Sequence, residues 1–221
     1  MSTAAGAQGK RRRTPVALDG RTRIIQAAAR LFREKGFNGT TVREIAEAVG
    51  MQSGSLFYFF PSKQDILLAV MSQGMAEVQA SVAEARKGVP SEAGFRAMIH
   101  RHLEGILDRD SDHMNVMLYE TRSLPATAGR QVRQLRRDYE TMWEAQIEAL
   151  IQEGRWRQSS EPRLSRLLLM GALNWSVQWF RPNHGDTVER LAETLCELFL
   201  LPVSKPSKSA NRPGNGPLVR A

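Results

Sequence analysis

The chain has 221 residues, of which 42% are hydrophobic and 24% charged, with one cysteine and a formal net charge of +8. That length allows one or two domains with a substantial core, the apolar content is ordinary for a globular chain, and a single cysteine excludes an intramolecular disulfide framework. The basic surplus sits at the ends: residues 1–65 hold 11 Lys/Arg against 5 Asp/Glu, and residues 203–221 hold four Lys/Arg and no acid, which leaves −2 for the middle.

Such asymmetry favours a polyanionic partner, nucleic acid before a membrane surface. Met1–Pro15 has no apolar segment of a secretory signal. No apolar run is read as approaching the roughly 18 residues that span a bilayer. The expectation is a soluble, cytoplasmic protein.

Residues 1–18 carry Lys10-Arg11-Arg12-Arg13 among small residues and read as a disordered basic arm. Asp19 can cap a first helix running to Lys35, with Ile24, Ile25, Ala28, Leu31 and Phe32 on one face and Gly36 at its end. Thr41 and Glu44 have the spacing of a capping box. They open a short helix whose apolar residues Val42, Ile45, Ala46 and Val49 follow the i, i+3, i+4, i+7 pattern. Gly50 ends it, Ser53 can cap a second short helix, and Pro61 stops that one. Helix, glycine-containing turn, helix is the pattern of a helix-turn-helix. Its exposed side offers Gln52, Ser53, Ser55 and Tyr58, hydrogen-bonding groups suited to a major groove, with Arg43 on the first helix and Lys63 beginning the next. An ordinary helical hairpin with solvated polar residues is the competing reading.

Ser62 caps a long connecting helix to about Glu84, with Asp65 in its first turn. After Gly88-Val89-Pro90, a helix starts at Ser91 and runs to Leu107. A polar joint follows at Asp108–Asp112, then a helix from Met114 to about Leu124, and a long helix from about Ala126 to Glu153. The segment Leu164–Phe180 is apolar nearly all round, so it requires burial on more than one side. Asp186 caps a last helix with the stripe Val188, Leu191, Ala192, Leu195, Cys196 and Phe199. Cys196 on that stripe reads as a small buried hydrophobe. The tail 203–221 reads as disordered. No strand is predicted. The fold class is therefore all-α, about nine helices, divided into a helix-turn-helix domain over 19–65 and a helical bundle over 66–202, with 62–84 as the connecting rod. The last two helices have more apolar surface than one bundle side requires. Pairing with a second copy through Leu168, Ala172, Val188, Leu191, Leu195 and Phe199 would bury it, and plain burial within the monomer is the competing reading.

No enzyme constellation is apparent: there is no phosphate-binding glycine loop, no nucleophile elbow and no metal-ligand cluster. His100 and His102 are two apart and point to different sides of a helix, while His100–Glu104 and His113–Glu120 read as structural pairs. Neither a cofactor nor catalysis is expected.

The segment Arg21–Met71 resembles the DNA-binding domain of TetR-family transcriptional regulators. The resemblance rests on Ala27-Ala-Ala-Arg-Leu-Phe32, Gly36-Phe37, Thr40-Thr-Val-Arg-Glu-Ile-Ala46, Val49-Gly50 and Gly54-Ser-Leu-Phe-Tyr-Phe-Phe-Pro-Ser-Lys63. It implies a dimeric, all-α repressor that reads a near-palindromic operator and is released by a small-molecule effector. Arg43 then matches a base-reading position, and Gln52, Ser53 and Ser55 match base or phosphate contacts. Tyr58 and Lys63 match phosphate clamps, and Thr41 a hydroxyl and amide contact. Where the family often has Tyr-Tyr-His-Phe, this chain has Phe57-Tyr58-Phe59-Phe60, which puts more weight on Tyr58 and Lys63. Gly171–Pro182 and the final helix resemble the subgroup that controls fatty-acid or sterol catabolism, whose inducers are acyl-CoA thioesters. An apolar effector cavity walled by Met142, Trp143, Met170, Asn174, Trp175 and Trp179 would fit that, with Arg122 and Arg181 meeting CoA phosphates. An effector-independent architectural DNA binder is the alternative.

Overall fold

Asp19 begins the described structure by accepting a hydrogen bond from the amide of Thr22 at 2.6 Å, which starts helix α1, Gly20–Gly39. The computed structural model describes residues 19–107, 112–157, 161–182 and 185–202, and among these there are nine α-helices. The basic arm and tail, the joint over 108–111 and the loop at His184 lie outside the described residues. Ile24, Ile25, Ala28 and Phe32 of α1 are buried together, as their spacing predicts. The chain does not leave the helix at Gly36. It kinks there, at φ 72° and ψ 163°, and resumes to Gly39. Only glycine adopts that backbone without a Cβ clash.

Helices α2, Val42–Ala48, and α3, Ser53–Phe59, are seven residues each, too short to persist alone. Ile45, Ala46, Leu56 and Phe60 hold them against α1. The start of α3 corrects one expectation: Gln52, not Ser53, is the N-cap, and it makes no side-chain capping bond. Ser53 is already helical. Helix α4, Lys63–Ala85, is capped by Ser62, whose hydroxyl accepts from the amide of Asp65 at 3.2 Å. Against the sequence expectation, an 18-residue window of α4 has mean hydropathy 1.3, long and apolar enough by composition to cross a bilayer. The protein interior explains that composition. Ile66, Leu67, Val70, Met71, Met75, Val78 and Val82 are buried, and α4 packs on α1 as well as on helices of the bundle.

Helices α5, Ser91–Leu107, and α6, Asp112–Tyr119, follow. The latter is shorter than predicted and gives way to a 3-10 turn at Thr121–Ser123. Leu124 precedes Pro125 and is extended, at φ −86° and ψ 140°, the conformation a proline imposes on its predecessor. Helix α7 spans Ala126–Gln152, and α8 spans Pro162–Trp179 with its proline in the first turn. Helix α9, Val188–Phe199, is capped by Thr187 rather than Asp186, the Thr187 hydroxyl accepting from the amide of Arg190 at 3.2 Å. An antiparallel bridge between Trp156 and Leu200 ties the end of α9 to the turn after α7.

Helix α5 forms the middle of the bundle, packing on α4, α7, α8 and α9. Helix α8 leaves Leu164, Leu167, Leu168, Trp175 and Trp179 exposed on the single chain, Leu168 and Trp175 by 66% each, apolar surface of the kind that pairing with a second copy would cover. One expectation about the last helices is corrected here. Leu195 and Phe199 are not available to a second copy, because they face the chain's own core. Phe199 stacks on Trp156 at 5.3 Å. Of the residues expected at such a contact, Leu168 and Ala172 are exposed and Val188 and Leu191 half-buried. The outward apolar positions near the end of α9 are Leu198 and Leu201.

Candidate nucleic-acid interface and cavity

The outer side of α2 and α3 collects the residues singled out above. Arg43, Gln52, Ser55 and Tyr58 are all exposed, Tyr58 by 88%, and Ser53 is half-buried. Gly50, at φ 68°, makes the turn between the two helices. Phe57, half exposed, stands beside Tyr58. The Tyr58 ring meets Phe59 edge-on at 5.3 Å. Arg43 pairs with Glu47 one turn on, Nε to Oε1 at 2.8 Å. An exposed pair of this kind is weak, so the guanidinium can leave it for a base edge or phosphate.

Thr41 and Lys63 are more constrained than the sequence implied. The Thr41 amide and hydroxyl both donate to Glu44 Oε2, at 2.7 and 2.9 Å, and its hydroxyl accepts from the Glu44 amide at 3.2 Å. Lys35 pairs with the other Glu44 oxygen at 2.7 Å, and that bond, with those from Thr41, holds the Glu44 carboxyl down at about 2. Lys63 Nζ donates to the carbonyls of Phe37 and Thr40, at 2.9 and 2.8 Å, and lies 4.1 Å above the Phe37 ring. Its ammonium fastens α4 to the end of α1, leaving one of its three N–H donors for a phosphate. The same Phe37 receives a bond from the far side: its amide donates to Glu120 Oε1 at 3.0 Å. Glu120, between α6 and the 3-10 turn, thus touches the kink in α1. Sequence reading paired it with His113 and missed this, because the two partners are 83 positions apart.

A cavity of about 310 Å³ lies between α4, α5, α6, α7 and α8. Met75, Met114, Met117, Leu118, Leu167 and Met170 give its apolar walls. One end is polar. His102, buried on α5, has Nδ1 2.7 Å from the Tyr139 hydroxyl and Nε2 3.2 Å from Asn174 Oδ1. An amide oxygen only accepts, so Nε2 carries the proton, Nδ1 is bare, and Tyr139 donates to it. Burial lowers the imidazole to about 4 and keeps it neutral, and burial likewise raises the Tyr139 hydroxyl. Arg136, Glu140 and Arg166 are the charged members of the lining, and Arg166 is the buried one, 6% exposed. Its Nε donates to Glu144 at 2.6 Å, and its Nη1 lies 3.1 Å from Glu140 Oε2 without a hydrogen bond to any group.

Of the residues predicted to line an effector cavity, Met170 and Asn174 do so. Trp143 is fully buried in the core, its ring 5.9 Å from that of His102 and 6.1 Å from that of Tyr139, and Met142 packs, partly buried, against the core. Trp175 and Trp179 face outward, and Arg122 is exposed away from the cavity. Arg181 is spent on the carbonyls of Phe180 and Gln178, at 2.8 and 3.2 Å, at the end of its own helix. Sequence reading singled out neither Tyr139 nor Arg166, and took His102 only as a helix position facing away from His100. Their signal was weak, three polar groups on otherwise apolar faces of three different helices. A second cavity of about 810 Å³ lies between α4, α5 and α6 and includes Phe180, Pro182 and Val188. Among the described residues no group of three or more His, Cys, Asp or Glu could hold a metal ion.

An all-helical chain with a two-helix reading face joined by one rod to a bundle is the architecture of a DNA-binding regulator. Residues 24–70 match the family model for bacterial regulatory proteins of the tetR family, and residues 88–203 match that for a tetracyclin repressor-like C-terminal domain. The chain belongs to the TetR family of transcriptional regulators. It is 27% identical over 190 residues to the HTH-type transcriptional repressor KstR2 of Rhodococcus jostii (strain RHA1), covering 84% of this chain and 92% of that protein. Among solved structures it is similar to the superantigen PfiT, at 37% identity and TM-score 0.73, covering 81% of this chain and 95% of that one. It also shares the fold of AibR in complex with isovaleryl coenzyme A and operator DNA, at 23% identity and TM-score 0.75, covering 80% and 96%.

Proposed function

We propose that this protein is a cytoplasmic, effector-controlled repressor that binds a near-palindromic operator as a homodimer. The observation that carries the reading is the outward face of α3, where Gln52, Ser55 and Tyr58 stand exposed on a helix braced from behind by Leu56 and Phe60. Arg43 supplies the fork that matches guanine O6 and N7. Tyr58 and the remaining Lys63 donor reach phosphates and fix the register. Two copies meet through the exposed stripe Leu164, Leu168, Ala172, Trp175 and Trp179 of α8, which recurs on one helical face. Their recognition helices then address half-sites about one DNA turn, roughly 34–36 Å, apart.

The cavity between α4 and α8 is the effector site in this reading. Similarity to a ketosteroid transcriptional regulator, KstR2, and to AibR in complex with isovaleryl coenzyme A supports an acyl-CoA thioester as the effector class, its acyl part taken into the cavity. Occupancy acts on operator affinity only insofar as the ligand favours one arrangement of the helices over another. Helix α6 offers the route: Met114, Met117 and Leu118 wall the cavity, and the same segment ends in Glu120, which holds the Phe37 amide opposite Lys63. Movement of α6 therefore reaches both α1 and the start of α4.

Selection of bound duplexes from a random-sequence pool by the full chain tests the reading. The expected result is one motif with two inverted half-sites, bound by two protomers. Recovery of duplexes without a common motif would favour an architectural binder and contradict it.

A further inference from the structure

The chain enters its first helix at the edge of α3. Gly20, the first residue of α1, is packed so closely there that a Cβ would lie 2.9 Å from Phe59 Cζ and 3.3 Å from Met51 Cε. Phe59 in turn meets the Tyr58 ring edge-on, so one aromatic ring separates the root of the chain from Tyr58 at the DNA face. Arg21, exposed, lies 4.8 Å over the Phe60 ring and puts a cation at the same corner. Seven positions before Gly20 stands Arg13, the last of Lys10-Arg11-Arg12-Arg13, and no acid precedes Asp19. The tract itself lies outside the described residues, but its tether has a definite length, at most roughly 23–25 Å for seven residues.

With α3 in the major groove, the phosphate strand beside Tyr58 divides that groove from the neighbouring minor groove, about 6 Å wide. The major groove at this point is taken by α3, so the groove open to the tract is the minor one, within reach of its tether. Four cations in succession suit the concentrated negative potential of a narrow minor groove, and Gly6, Ala7 and Gly9 ahead of them are small enough to follow it. A guanine amino group would stand in the floor of that groove, where A·T pairs offer only acceptors. We infer that residues 10–13 of each protomer enter the minor groove beside its half-site and favour A·T pairs there, so that the operator extends beyond the bases faced by α3. This rests on the reading of α3 as the recognition helix.

The test is fluorescence anisotropy of the full chain and of K10A/R11A/R12A/R13A on the selected operator across a salt series, with the base pairs on either side of each half-site made A·T, G·C or inosine·C. Inosine·C keeps the major-groove pattern of G·C but lacks the guanine amino group in the minor groove. The parent chain is expected to bind the A·T and inosine·C duplexes alike and the G·C duplex about tenfold weaker. The quadruple variant should bind all three alike, about tenfold or more weaker than the parent on A·T, with a salt slope shallower by about 3–4 per protomer and the circular dichroism of the parent. If the variant keeps the parent's affinity and slope, the tract does not touch DNA and the inference is overturned; vesicles of phosphatidylglycerol bound by the parent and not by the variant would then assign the tract to a membrane surface. If the slope falls but the parent binds G·C flanks as tightly as A·T flanks, the tract meets phosphates only and the minor-groove inference is overturned. If Arg43→Ala leaves the preference for the operator over a scrambled duplex intact, the reading of α2 and α3 itself fails, and the inference with it.

Discussion

The DNA-facing end and the cavity end of this molecule are built on opposite plans. The reading face is consecutive in sequence: Arg43 to Tyr58 lie on two adjoining helices, exposed, with apolar partners at helical spacing beneath. The cavity is assembled from five helices, and its polar end joins His102, Tyr139, Arg166 and Asn174 across 72 positions. A face of the first kind can be read locally. The second exists only after folding, when residues that each look like ordinary core or surface positions meet around a space. One end presents exposed groups in sequence order, and the other brings buried groups into register.

The sharpest way to probe the cavity end is acid. His102 is neutral in the fold because burial lowers it to about 4 from an ordinary 6.5. In that window the unfolded chain binds a proton that the native chain refuses, so stability is fully present above about 6.5 and is lost as pH falls toward 4. Urea melts at pH 7 and pH 5 are expected to differ by roughly 2 kcal/mol from this group alone. His102→Gln should flatten the difference. An unchanged pH slope in that variant would mean that the imidazole is not held as described.

The junction between the two ends is the next largest effect. Glu120→Ala leaves the Phe37 amide without its acceptor in a half-buried place, at a cost of about 1–2 kcal/mol, and releases α6 from the kink at Gly36. Thermal melting should show the loss, and hydrogen exchange should show the Phe37 amide exchanging faster. If exchange there is unaffected, α6 is not coupled to α1 by this bond. Thr41→Val, confined to the DNA-facing end, removes the hydroxyl that caps α2 and is expected to cost about 1 kcal/mol. It should leave ligand binding in the cavity unchanged, which separates the two regions.

What was legible in the sequence follows the same division. Capping and periodicity located most helices, and the long α7 and the rod α4 were read nearly whole because their stripes are long and regular. The kink at Gly36 was misread as an end, since a glycine that permits positive φ permits both outcomes. The four residues of the α9 stripe were assigned to a second copy because amphipathicity identifies a buried face without naming what covers it. In the structure α5 and Trp156 cover much of that face. Aromatic residues misled the cavity prediction similarly. Trp143 fills core and Trp175 faces out, while the wall is methionine and leucine. On the DNA side the sequence identified the exposed residues but not the state of Thr41 and Lys63. Their bonds to Glu44, Phe37 and Thr40 depend on how α1, α2 and α4 converge.

The proposed function requires that exposed side chains on α2 and α3 read sequence. It is tested most directly by the ratio of affinities for the selected operator and a scrambled duplex of equal length, measured by fluorescence anisotropy at one fixed salt concentration. The expected ratio is about a thousandfold or more for the parent chain. Arg43→Ala should collapse it while the weak, salt-dependent affinity for the scrambled duplex remains. A ratio near one for the parent chain, with a steep salt dependence on both duplexes, would contradict the account.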